Sequence, residues 1–139
     1  MWIYEQALRQ LAAGQDTVLC WVTDKSGMTP RGAGAHMLVC TDGHAFGTVG
    51  GGTMEAQARA LALELLQTKS GTGRVQVLWT NCVDHCGGAL TIAFLYFSAE
   101  DGKTEQFFRA WQEAWEAYRE LWIVIGSADG AVLGCGTER

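Results

Sequence analysis

The chain has 139 residues, enough for a single domain that buries roughly two-thirds of its unfolded surface without disulfide or metal staples. Ten Lys and Arg against 15 Asp and Glu give a net charge of −5 with no basic cluster, which excludes a protein that grips a nucleic-acid backbone. Hydrophobic residues make up 48% of the chain, yet no run approaches the ~20 consecutive apolar residues of a membrane span, so no membrane partner is expected either.

In chain order, residues 2–13 place Ile3, Ala7, Leu8, Leu11 and Ala12 at helical spacing, with Gly14 at the C-terminal cap. Met1 to Gln10 reads as part of this amphipathic helix rather than as a charged segment before a long apolar run, so no signal peptide is expected. Thr17–Thr23 is β-branched and nearly all apolar, as suits a central strand covered on both faces. Asp24–Gly34 reads as a long loop holding the chain's one proline, Pro30. Ala35–Thr41 and His44–Thr48 form a hairpin around Asp42-Gly43.

Gly50, Gly51 and Gly52 follow, and then a helix over Thr53–Thr68 with Met54, Ala58, Leu61, Ala62, Leu65 and Leu66 on one stripe. Past a polar turn at Lys69–Gly73, Arg74–Thr80 and Ala89–Phe97 read as strands joined by the segment from Asn81 to Gly88. Thr104–Arg119 forms a third helix, with Phe107, Phe108, Trp111, Ala114, Trp115 and Tyr118 recurring at three and four; its tryptophans suit a core or an interface stripe. A strand at Leu121–Gly126, a turn at Asp129-Gly130 and a strand near Ala131–Gly134 complete the chain. The helix–strand order at the start recurs at the end, which hints at an internal repeat. The fold class is α/β or α+β: a mixed β-sheet covered by three helices, as one domain over residues 1–139.

Chemistry concentrates in three places. A strand that delivers three glycines into a helix start lays backbone bare, and the helix offers unpaired N–H groups and the positive end of its dipole to an anion such as a phosphate. The alternative is a tight turn needing positive φ. Glu55, in the first turn of that helix, either complements the dipole or hydrogen-bonds a neutral, nitrogen-rich ring. The second place is the loop from Gly27 to Gly34. There Arg31 follows Pro30 and precedes glycines, and its planar fork suits phosphate or carboxylate.

The third place is Cys82-x-x-x-Cys86 with Asp84 and His85 between, which offers at most three zinc ligands and lacks a second Cys-x-x-Cys half. No metal site is assigned. The reading that uses the sequence best is a single reactive thiolate at Cys86 beside Gly87-Gly88, whose N–H groups can lower its pKa, leaving a thiol able to carry sulfur or meet a soft metal; two buried structural cysteines is the alternative. Cys20, Cys40 and Cys135 lie in apolar strand contexts, where reduced thiols act as small hydrophobes and favour the cytoplasm. His36 and His44, on the hairpin strands, suit solvated or core positions better than ligands.

Together, the run from Gly27 through Pro30-Arg31 to Val39, then Gly47-Thr48-Val49-Gly50-Gly51-Gly52-Thr53-Met54-Glu55, then Cys86-Gly87-Gly88, resemble the XdhC/CoxI family of xanthine dehydrogenase accessory proteins, over about residues 8–97. The resemblance implies a molybdenum-cofactor-binding accessory factor for the sulfuration and insertion steps that mature a xanthine dehydrogenase-type molybdoenzyme. A cysteine desulfurase would be a second partner. It implies a cofactor site at Pro30, Arg31, Gly50, Gly51, Gly52, Glu55, Cys86, Gly87 and Gly88. Molybdopterin has a phosphate for the glycines and Arg31, a pterin for Glu55, and a sulfur-ligated metal for Cys86.

A chaperone is favoured over a catalyst. The alternatives are a sulfur-transfer enzyme working through Cys86 and a non-catalytic module that docks a molybdoenzyme, and a homodimer would cover the abundant tryptophan. Where the family usually has a small residue and a basic one, this chain has Met28 and His36, so cation support near the loop is thinner. Longer members continue into a Rossmann domain. Ile125–Gly130 lacks the Gly-x-Gly-x-x-Gly fingerprint, so an isolated N-terminal-type domain is expected, encoded alone or cut from a longer protein.

Overall fold

The computed structural model describes residues 2–26, 34–79, 89–117, 121–125 and 132–137. Ten elements follow in the order α1 (Ile3–Ala12), β1 (Thr17–Ser26), β2 (His36–Cys40), β3 (Ala45–Thr48), α2 (Gly52–Gln67), β4 (Arg74–Trp79), β5 (Ala89–Phe97), α3 (Gly102–Glu116), β6 (Leu121–Ile125) and β7 (Val132–Thr137). The expected α/β fold, a sheet covered by three helices, is present. The main sheet has the order β3-β2-β1-β5-β4, and β6 and β7 pair separately. Every described pairing is antiparallel, where the sequence suggested a mixed sheet. The short connection from β2 to β3 is a hairpin, which enforces that direction, and α2 leads to the far edge strand instead of crossing over to a parallel neighbour.

β1 is the central strand, as its apolar run requires, and Val18, Leu19, Cys20 and Val22 are fully buried. Its side chains alternate between two cores. Val18, Cys20 and Val22 join Met37, Val39, Leu90, Ile92 and Phe94 under α2, which contributes Met54, Ala58, Ala62, Leu65 and Leu66. Leu19 faces the other way with Leu38, Cys40, Ala93, Leu95 and Phe97, against Tyr4 and Ala7 of α1 and Phe107 and Phe108 of α3. The period of two thus divides one sheet between a helix on one face and two helices on the other. Burial pushes the thiols of Cys20 and Cys40 well above their ordinary pKa, that of Cys40 to about 11, and both are free.

Several element ends differ from the sequence reading. β1 runs to Ser26 rather than Thr23, because Asp24, Lys25 and Ser26 pair with Thr91, Leu90 and Ala89 of β5 past a register shift at Val22/Asp24. α3 starts at Gly102 rather than Thr104, since Asp101 caps it by accepting from the Lys103 amide at 3.0 Å. α1 buries Tyr4 and Ala7 while Ile3, Leu8 and Leu11 pack at the margin, and Ala12 is exposed. The helix–strand order does recur, but β1 and β6 lie in different sheets. The expected strand end at Thr80, the helix end at Arg119 and the turn at Asp129-Gly130 lie outside the described residues.

Gly47 shows how closely α1 sits on the hairpin. Its φ is +90°, and a Cβ there would stand 2.5 Å from the His36 carbonyl oxygen and 2.9 Å from Ile3 Cδ1. Gly47→Ala combines a left-handed backbone with a backbone clash, and is expected to lower the unfolding free energy by more than about 2 kcal/mol in urea denaturation. A loss below ~0.5 kcal/mol, the range of an ordinary surface change, would contradict this packing.

Candidate functional site

The glycine loop leaves β3 after Thr48, and each of its three glycines has positive φ: +132° at Gly50, +76° at Gly51 and +62° at Gly52. Side-chain-bearing residues adopt three such conformations in a row only with strain, so the triplet is a backbone requirement before it is anything else. A series of this kind turns successive N–H groups inward, and here the concavity is filled from within the chain. Glu55 Oε1 accepts from the Val49 amide at 3.2 Å, from the Gly51 amide at 3.2 Å and from the Thr48 hydroxyl in a short bond. Thr48 Oγ1 in turn accepts from the Gly50 amide at 3.0 Å.

Glu55 therefore reaches back over the start of its own helix. The first backbone bond of α2 runs from the Glu55 amide to the Gly51 carbonyl at 3.4 Å. A carboxylate at this place also meets the positive end of the helix dipole. Of the three glycine amides, those of Gly50 and Gly51 are committed to Thr48 and Glu55. The amides of Gly52, Thr53 and Met54 are those that helix geometry leaves without an intrahelical acceptor, and they are the donors an external anion would meet. Thr48 was missed by sequence reasoning; its signal was a hydroxyl at the strand end seven positions before a glutamate.

The strand register collects the flanks of all three chemically marked segments at one end of the sheet. Thr48 pairs with His36, and His36 with Trp21. The ladder continues as the Val22 amide donates to the Ala35 carbonyl and the Gly34 amide to the Val22 carbonyl, both at 2.8 Å. Ser26 pairs with Ala89, and Ala89 with Trp79. So the glycine loop, the two arms of the 27–33 segment and the two arms of the 80–88 segment all issue from the same end. The last pair of arms stands about four residues, or ~13 Å, further along the strands. Pro30, Arg31, Cys82, Asp84, His85, Cys86, Gly87 and Gly88 themselves lie outside the described residues.

His36 lies at the foot of the 27–33 arms. Its ring stacks on Trp21 with centroids 4.8 Å apart and meets Trp111 of α3 edge-on at 5.1 Å. Nδ1 lies 2.9 Å from the Gly34 carbonyl oxygen, which can only accept, so Nδ1 carries the proton and Nε2 is the acceptor nitrogen of the neutral ring. Sequence reasoning passed over this aromatic box because its members come from three elements. His44 instead closes the hairpin turn with Asp42, its amide 2.9 Å from Oδ1 and its Nδ1 2.8 Å from Oδ2, in the solvent.

Residues 10–77 match the model of the XdhC and CoxI family, a stretch that includes the glycine loop and Glu55 and stops short of Cys86. The molybdenum cofactor insertion chaperone PaoD of Escherichia coli (strain K12) is 34% identical across 62% of this chain and 28% of its own. A crystal structure titled as a xanthine dehydrogenase from Bacillus halodurans shares the fold, with a TM-score of 0.70 and 23% identity over 97% of this chain and 42% of that one. The chain thus spans less than half the length of both. Among the described residues no helix is long and apolar enough to cross a membrane.

Glu55→Ala would leave two amides and a hydroxyl without their acceptor and is expected to cost roughly 2–3 kcal/mol in chemical denaturation; Glu55→Gln, which keeps an acceptor oxygen but loses the charge, is expected to cost about half of that. A Glu55→Ala cost within ~0.5 kcal/mol would mean that the carboxylate does not hold the loop. The family model matched over residues 10–77, a stretch that takes in the glycine loop and Glu55, supports the assignment of this chain to the XdhC and CoxI family.

Proposed function

We propose that this chain is a molybdenum-cofactor-binding accessory factor that takes part in the sulfuration of the cofactor and its insertion into a xanthine dehydrogenase-type molybdoenzyme. The observation that carries the proposal is the shared sheet end, from which the glycine loop and the arms of the Arg31 and Cys86 segments all issue. The match to the family model and the likeness to an insertion chaperone support the same reading.

The described residues fit the cofactor as cargo. Its phosphate would meet the amides of Gly52, Thr53 and Met54 with Arg31 as counter-charge, because an anion at a helix start gains both hydrogen bonds and dipole. Glu55 uses Oε1 to hold the loop, which leaves Oε2 to accept from the N–H groups of a pterin. Cys86, beside Gly87 and Gly88, would stand by the metal end. The chain's contribution is to bind, orient and shield; the sulfur that matures the cofactor comes from a cysteine desulfurase. The work is then that of a chaperone, in the cytoplasm, where the free thiols of Cys20 and Cys40 stay reduced.

Mass spectrometry of the chain purified from cells that make the cofactor tests the proposal. Wild type is expected to carry molybdopterin. Arg31→Ala and Cys86→Ser are each expected to lower occupancy about tenfold or more, the scale of one lost charge-assisted contact. A folded wild type that carries none, or variants that carry as much as wild type, would overturn the reading. A persulfide trapped on Cys86 after incubation with a desulfurase would make the chain a sulfur carrier as well.

A further inference from the structure

α1 and α3 pack side by side, and the start of the first meets the end of the second in a cleft of about 890 Å³. Trp2 and Trp115 pack against each other in its lining, with ring centroids 4.5 Å apart and planes tilted by 47°. Each is 51% exposed, although indoles of this size are normally the first side chains a fold covers. Buried Tyr4 together with Glu5, Gln112, Ala114 and Glu116 completes the lining, which among the described residues holds no basic side chain. The two carboxylates act on the same place. After burial, they are what push the Tyr4 hydroxyl above its ordinary pKa.

Open aromatic faces bordered by carboxylates are complementary to a cation rather than to another apolar surface. An indole face attracts a cationic group through its quadrupole, and a guanidinium can stack on it while its N–H fork reaches a carboxylate. A volume of this size exceeds one side chain and suits a short peptide segment. The position is also suggestive. Ile3, next to Trp2, packs against Gly47 of β3, and Trp111, one turn before Trp115, packs against His36. The cleft therefore flanks the sheet end that carries the glycine loop.

We propose that this cleft docks an arginine-bearing segment of a partner polypeptide, the guanidinium group stacking on the exposed surface of the indole pair and reaching the carboxylates of Glu5 and Glu116. The site is separate from cofactor binding and stands whether or not the chain carries a cofactor. It holds the partner beside the end of the sheet where the glycine loop opens.

The test uses the full chain and two peptides, acetyl-Gly-Arg-Gly-Arg-Gly-amide and its counterpart with Glu in place of Arg. The readout is the indole N–H signals of Trp2 and Trp115 in NMR titration. The arginine peptide is expected to shift both signals, at least fivefold more weakly at 0.5 M than at 0.05 M salt, and the glutamate peptide to shift neither. In the Glu5→Gln, Glu116→Gln double variant, binding is expected to fall at least fivefold. Gln at position 5 can still accept from the Trp2 amide that Glu5 now caps at 3.2 Å, so the helix start is kept. Equal shifts with both peptides, no shifts with either, or undiminished binding by the double variant would overturn the proposal. So would concentration-dependent broadening of the two signals with dimerisation in sedimentation, which would make a second copy the occupant.

Discussion

One carboxylate oxygen holds the segment on which the candidate site depends. Glu55 Oε1 gathers the Val49 amide, the Gly51 amide and the Thr48 hydroxyl, and so ties the last residue of β3 to the first turn of α2. Without such an acceptor, three glycines in a row would cost much backbone entropy on ordering and adopt many conformations. With it, the loop has one shape, and α2 is set against the sheet with its N-terminus at the end where the other marked segments issue. The glycines supply the positive φ values, and the glutamate supplies the reason they are ordered.

That arrangement divides the loop's hydrogen-bonding capacity. The concave part, which in isolation invites an external anion, is filled by the chain's own acid, and the outward amides of the helix start keep no intrahelical acceptor. The structural role and the proposed binding role therefore fall on different atoms of one short segment. The sheet gives the same separation on a larger scale. Alternation along β1, β2 and β5 sends one set of side chains under α2 and the other under α1 and α3, so each helix layer is buried independently. α2 carries the glycine loop on one face, while α1 and α3 leave the aromatic, acidic cleft on the other.

Much of this was legible in the sequence, for identifiable reasons. The run Val18-Leu19-Cys20-Trp21-Val22 required a strand covered on both faces, and it is the central strand. The stripe from Met54 to Leu66 located α2 to within a residue at each end. What could not be read were features that depend on partners distant in sequence. β1 continues past Thr23 only because β5, more than sixty residues later, pairs with it. The His36 stack draws on Trp21 and Trp111, and no local pattern joins those three. Trp115 has the same helical spacing as Trp111, yet one packs on His36 and the other is half exposed, since periodicity gives a face and not what lies opposite it. In the site itself, the glycines and Glu55 were identified by type and spacing, while the binding of the acid to the loop's own amides was a matter of geometry.

The central claim is that the glycine loop, the Arg31 segment and the Cys86 segment form one binding site for molybdopterin. Titration of the isotope-labelled chain with molybdopterin, followed by backbone amide NMR, tests this most directly. The account predicts that signals of Gly52–Met54, of residues 27–34 and of residues 86–88 move together and saturate with a single dissociation constant. Shifts confined to one of the three segments, or none at all in a folded chain, would contradict it.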